Sequence, residues 1–190
     1  MVELASILSF SAIKNNDKVG LILFSDQIEK FIPPNKGKSH VLRVIRELIY
    51  YKTEDKQTKI SEALEYSLKA LKRKSVIFLL SDFLDENYNT SLKLMNQKHD
   101  LICFQITDPS EIEMPNLGLL KMHDVETSET FWVDSSDKKL RNQMRNNFKV
   151  KMEERIKFFK KNKIDHVQIN TQKSYIEPLV EFFNSRISRR

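Results

Sequence analysis

Two residues, Thr58 and Asp82, stand where their side chains could do chemistry, and Asp85 stands beside them. Asp82 follows "VIFLLS", a run of five apolar residues closing on Ser81, so a carboxylate stands at the abrupt end of what reads as a fully buried strand. A carboxylate so placed can cap a turn, hold a metal or take part in a reaction. Thr58, in "DKQTKISEAL", immediately precedes a helical pattern, and its hydroxyl can cap that helix or face the crevice above the strand ends. Phosphoryl transfer from a strand-end Asp wants Asp-x-Asp, one carboxylate to attack phosphorus and one to handle the proton. Asp82 and Asp85 are separated by two residues rather than one, so they do not superimpose on that motif.

The elements that must position these residues are legible from periodicity. "VELASILSFSAIKNN" places Leu4, Ile7, Leu8 and Ile13 on one helical face. "KVGLILFS" is a continuous apolar run of strand length, and "QIEKFIPP" alternates until Pro33-Pro34, which is expected to stop it. The short break at Ser25-Asp26 predicts a hairpin with its second strand at an edge. "SHVLRVIRELIYY" predicts a helix with Val41, Leu42, Ile45, Leu48 and Ile49 inward, and "KISEALEYSLKALKR" one with Ile60, Ala63, Leu64, Leu68 and Leu71 inward. "SVIFLLS" and "DLICFQITD" are strands separated by the helix "NTSLKLMNQK", the pattern of a parallel sheet covered on both faces. "GLLKMHDVETSETFWVD" predicts a hairpin around the turn "ETSE", added to the main sheet. A long helix is expected over 137–162, with Leu140, Met144, Phe148, Met152, Ile156 and Phe159 inward, before a last strand "DHVQIN" and a last helix. Together these predict one domain over residues 1–190, three-layered and α/β, with a mostly parallel central sheet flanked by helices.

Composition narrows the function. At 190 residues with 40% hydrophobic and 31% charged, the chain can bury a substantial core. Its 3 glycines assemble no Gly-rich phosphate loop, which excludes a Rossmann or P-loop site. The single Cys103, inside "LICFQI", reads as a small buried hydrophobe in a reducing compartment. His40, His99, His123 and His166 show no metal-ligand spacing. No signal peptide and no apolar run of membrane-crossing length is visible, so a cytoplasmic location without membrane attachment is expected. The net charge of +6 raises nucleic acid as a partner, but the chain lacks helix-turn-helix, zinc or aromatic-platform patterns, so no specific nucleic-acid binding is expected. The stretch 138–163 carries eleven Lys or Arg against Glu153 and Glu154, which reads as a solvated face or as a dock for an acidic protein.

The succession "KVGLILFSDQIEKFIPP", "QTKISEAL", "VIFLLSDF" and "DPSEIEMPNLGLLKMHDVETSETFWVD" resembles the family catalogued as domain of unknown function 58, whose fold is similar to the von Willebrand factor A domain. The resemblance covers nearly the whole chain. It implies a metal-ion-dependent adhesion site built from an Asp-x-Ser-x-Ser motif after the first strand, a Thr and an Asp. Thr58 matches the second part and Asp82 the third, as the metal residues, and the resemblance implies Mg²⁺ as the cofactor of the intact site. This chain departs from the pattern: no Asp-x-Ser-x-Ser precedes the first helix, and Lys56 and Lys59 flank the Thr loop. Weak or absent Mg²⁺ binding is therefore expected. The departure also implies an amino-terminally truncated form without the first central strand.

The resemblance implies a non-enzymatic protein-interaction module that partners a MoxR-type AAA+ ATPase in assembling or activating other proteins. The alternatives are a metal-dependent phosphohydrolase using Asp82 and, behind it, a basic nucleic-acid binder.

Overall fold

The computed structural model describes residues 1–52, 57–112, 115–123 and 130–188. In chain order the elements are α1 (Val2–Lys14), β1 (Val19–Phe24), β2 (Ile28–Asn35), α2 (Lys38–Tyr50), α3 (Ile60–Ala70), β3 (Val76–Ser81) and α4 (Asn89–Lys98). They continue with β4 (Asp100–Thr107), α5 (Pro109–Ile112), β5 (Leu119–His123), β6 (Thr130–Asp134), α6 (Lys138–Lys161), β7 (Asp165–Asn170) and α7 (Ile176–Ser188). Two compact units divide the chain: Met1–Lys74 with Leu84–Lys98, and Ser75–Phe83 with His99–Arg190.

In the first unit β1 and β2 form an antiparallel pair, with Leu21 opposite Ile32, Ile22 opposite Phe31 and Leu23 opposite Lys30. The hairpin is as expected, but Pro33-Pro34 does not stop β2, which runs to Asn35. A proline has no N–H to give, and a two-stranded ribbon has only edge strands, where that loss goes unfelt. At Gly20 the two strands lie too close for a side chain. A Cβ there would lie 2.9 Å from the Ile32 carbonyl oxygen and 3.0 Å from Pro34. The Gly20→Val variant should lose about 1–3 kcal/mol of stability through that overpacking, read as a lower urea midpoint; an unchanged midpoint would show that the strands part freely.

Helix α3 buries Ile60, Ala63, Leu64 and Ser67, and α4 buries Ser91, Leu92 and Met95. The expected inward stripes of α1 and α2 are only partly covered. Leu4 is buried but Ile7 is 40% exposed, and Val41 and Val44 are buried while Leu42 and Ile49 lie open. Val44 replaces Ile45 as the second buried residue of α2 because the packed face is rotated from the one the sequence suggested.

The second unit is an α/β arrangement around a parallel sheet of order β3-β4-β7. Its register sets Leu80 beside Phe104 and Cys103 beside His166. The continuous apolar run of β4 is explained by its central place: Leu101 to Thr107 are all buried. On one face α7 supplies Phe182 and Phe183, whose rings meet Phe104 at 6.2 Å and Phe78 at 6.4 Å. On the other face α6 sets Phe159 against His166 at 4.6 Å. Arg186 of α7 ties the strand beginnings together, donating to both oxygens of Asp100 at 2.6 and 2.8 Å and pairing with Asp165 at 3.4 Å.

Strands β5 and β6 pair antiparallel as expected, but they form a sheet of their own instead of extending the parallel one. The turn "ETSE" lies outside the described residues. At the base of this hairpin the Ser135 hydroxyl donates to the Gly118 carbonyl at 2.6 Å and accepts from the Leu117 N–H at 2.9 Å.

Candidate functional site

The loop after β3 is built by local hydrogen bonding. The Ser81 hydroxyl accepts the Phe83 N–H at 3.1 Å and lies 3.4 Å from the Asp82 carboxylate. This folds the chain back at once and brings Phe83 to φ 58°, a left-handed conformation that a bulky residue adopts only when held. Arg155 of α6 does the holding. Its Nη2 donates to the Phe83 carbonyl at 2.5 Å, its Nη1 lies 3.4 Å from the Asp82 carbonyl, and its guanidinium sits 5.6 Å above the Phe83 ring. The Phe83 ring is fully buried and meets Phe159 edge-on at 5.7 Å. Asp82 is half-buried at the strand end.

This donor set does not fit a divalent cation. The carbonyls of Asp82 and Phe83 face a guanidinium, and the Ser81 hydroxyl already serves the turn. A guanidinium fixed on these two carbonyls occupies oxygens that a hard divalent cation would need and opposes a second positive charge close by. Among the described residues, no group of three or more His, Cys, Asp or Glu converges on a metal position.

Thr58 lies in the other compact unit, exposed, just before α3. It is not the helix cap the sequence offered: Lys59 occupies the N-cap position and gives no side-chain cap bond. The first N–H of α3, on Ile60, instead donates to Asp85 Oδ2 at 2.6 Å. A carboxylate at a helix N-terminus is favoured both by the unpaired N–H groups and by the helix dipole. Asp85 Oδ1 also accepts the Glu86 N–H at 2.7 Å, and the Lys59 N–H reaches the Ser25 carbonyl at 2.8 Å. The helix-capping role open to Thr58 therefore falls to Asp85, while the Ser81 hydroxyl takes part in the turn after β3. Lys56 lies outside the described residues.

Several polar groups escaped the sequence reading. Glu29 Oε1 accepts from the Ser25 hydroxyl at 2.5 Å and Oε2 from the Tyr51 hydroxyl at 2.8 Å, a network that closes the β1–β2 turn. Nearby, a cavity of about 380 Å³ is lined by Asp26, Glu62, Glu65, Tyr66 and Lys69 among others. On the α6 side of the parallel sheet, fully buried Gln105 meets His166 at 3.2 Å. Burial, reinforced by the Arg155 charge, draws the His166 pKa down to about 4. Burial first, and then the negative charge of Asp165, pushes the Cys103 thiol far up. The only signal for the Gln105 and His166 pair was a polar residue inside an apolar strand. His40 bonds the Val19 carbonyl at 2.8 Å, and buried His99 faces the Ser75 N–H at 3.3 Å.

Comparison with known proteins places this geometry among relatives. A family model described as "Protein of unknown function DUF58" matches residues 1–154. "Uncharacterized protein Rv1480" of Mycobacterium tuberculosis is 19% identical over 129 residues, covering 66% of this chain and 41% of the relative. "Uncharacterized protein Mb1516" of Mycobacterium bovis is similar to the same extent. The chain thus spans about two-fifths of the length of the curated relatives it matches. The crystal structure of conserved hypothetical protein BatB from Bacteroides thetaiotaomicron is similar in fold, with a TM-score of 0.59 at 16% identity, covering 100% of this chain and 89% of that one.

Proposed function

The chain belongs to the DUF58 family of proteins of unknown function, and on that premise we propose that it is a non-enzymatic protein-interaction module of the von Willebrand A type. Its partner is a MoxR-type AAA+ ATPase, with which it assists the assembly or activation of other proteins. Its adhesion site is degenerate, with Thr58 and Asp82 as what remains of the metal residues.

The observation that carries this reading is how the polar groups after β3 are used: Ser81 closes the turn and Arg155 holds the Asp82 and Phe83 carbonyls. Within the other unit Asp85 is likewise engaged, closing the N-terminus of α3. Groups engaged in holding loops make a shaped surface. Phosphoryl chemistry needs them at liberty, with a second carboxylate beside the first. The A-type arrangement is supported by β3 itself. Its apolar run from Val76 to Leu80 is that of a strand covered on both faces, and among the described residues it pairs with β4 alone, which leaves its other edge to a further strand. One further strand beside it would satisfy its remaining backbone groups.

The reading is tested by titrating the chain with the MoxR-type ATPase of the same organism, with and without a chelator. Saturable binding indifferent to the chelator is expected, together with no heat from submillimolar Mg²⁺ alone. A submillimolar Mg²⁺ site lost in Asp82→Ala would overturn the degenerate site. Metal-dependent hydrolysis of an aryl phosphate, abolished in Asp82→Asn, would replace the module with an enzyme.

A further inference from the structure

The apolar stripe expected to seat α6 is fully buried only near its end, with Leu140, Phe148, Met152 and Ile156 half-buried. Phe159 is the one buried residue among those described along the 24 residues of α6, whereas Met144 is 39% and Val150 53% exposed. Packing therefore covers the first half of this long, highly charged helix on one side only and leaves the other side in water. The helix is nonetheless fixed in place. The Asp137 carboxylate accepts the Lys139 N–H at 2.8 Å, Arg141 donates to the Ser135 carbonyl, and Arg155 anchors the far half to the β3 loop.

The exposed surface has a definite chemistry. Lys138, Lys139, Lys149, Lys157, Lys160 and Lys161 are all exposed, against only Glu153 and Glu154 as acids on the helix. At 3.6 residues per turn, Lys139, Val150, Lys157 and Lys161 share one side within about 40°, spanning about 33 Å. Val150 thus stands as an apolar anchor in a lysine row, and Met144 opens about a third of a turn away. The β6 strand that feeds this helix also leaves Trp132 63% exposed.

We propose that the solvent face of α6 is the docking surface of the module, and that its occupant is an acidic, amphipathic helix of a protein partner. This rests on the interaction reading above and names the chemistry of that partner. Charge complementarity selects the sign, and the length of the lysine row selects an extended rigid element. Met144 and Val150 with neutral Asn142, Gln143, Asn146 and Asn147 around them match a protein interface, where an apolar centre enriched in methionine is ringed by a polar rim, here supplied by the lysines. A lipid surface would need larger apolar residues on one face of the helix. A nucleic-acid duplex would meet the carboxylates of Glu153 and Glu154 beside its phosphates.

The test uses the whole chain and three probes: a synthetic helical peptide of about 20 residues with Glu outward and Leu in its seam, phosphatidylglycerol vesicles, and a DNA duplex of similar length. Two folded variants are compared, Met144→Ser with Val150→Ser, which leaves charge unchanged, and Lys139→Gln with Lys149→Gln and Lys157→Gln. The peptide is expected to bind with a steep salt dependence, and each variant to weaken it by about tenfold. Equal peptide affinity for the serine variant would mean unspecific attraction and overturn the proposal, as would tighter binding of vesicles or duplex than of peptide. The ATPase separates the two readings. An ATPase bound equally by wild type and both variants removes this surface and leaves the module standing. An ATPase that fails to bind, beside a peptide that binds in the variant-sensitive way, leaves the surface and removes that partner.

Discussion

Replacing Phe83 with Ala is expected to destabilise the protein by about 3–5 kcal/mol, the range for deleting a buried aromatic ring. Phe83 is fully buried, with Phe159 edge-on at 5.7 Å and the Arg155 guanidinium 5.6 Å over its face. Removing the ring leaves a cavity and strips the guanidinium of its stacking partner, while the backbone stays at φ 58°. An alanine there still bears the left-handed penalty. Phe83→Gly loses the same ring but relieves that penalty, so it should be more stable than Phe83→Ala by about 1 kcal/mol. This inversion of the usual order distinguishes a held left-handed turn from a simple core deletion. Urea unfolding followed by circular dichroism measures both variants. An alanine cost below about 1 kcal/mol, or a glycine variant weaker than the alanine one, would show that Phe83 does not pin the strand-end loop.

The second large effect is a loss of stability in mild acid. His166 lies against Phe159 with its ring bonded to Gln105, and burial and Arg155 draw its pKa down to about 4. The unfolded histidine titrates near 6.5. The fold therefore holds the neutral ring, and the unfolded chain takes up the proton first as pH falls. The stabilisation is complete above about pH 6.5 and is lost progressively toward about pH 4. Between about pH 7 and pH 5 the expected loss is about 2 kcal/mol. His166→Gln removes the titration while keeping a hydrogen-bonding side chain toward Gln105, and its stability should be nearly flat over the same window. Parallel pH profiles for wild type and variant would refute the assignment.

Much of this architecture was legible because burial on two faces writes a continuous apolar run. "VIFLL" and "LICFQI" announced β3 and β4, and the broken alternation of "QIEKFIPP" announced an edge strand. The loops were less legible because their bonds are non-local. Nothing in "DKQT" says that the α3 cap is Asp85, 25 residues beyond the N–H it serves. Nothing in "EERIKF" says that Arg155 will hold the carbonyls of Asp82 and Phe83. Capping rules favour the nearest polar side chain, and that proximity is what offers Thr58 as a cap for α3. Helix α6 was legible in direction but not in depth. Phe159 is buried and Leu140, Phe148, Met152 and Ile156 are half-buried on the expected face, while Met144 stays exposed, because periodicity reports which residues could be covered and not how completely.

Cys103 gives the molecule an internal clock. It is the sole sulfhydryl in the sequence, it sits at zero exposure in the middle strand of β3-β4-β7, and its surroundings keep it protonated. A thiol-directed dye can therefore react only during the moments when those three strands come apart, because the protonated, enclosed sulfur is no nucleophile. Colour development would count openings of that sheet alone, blind to fraying of the β1–β2 ribbon, and would need no added tag.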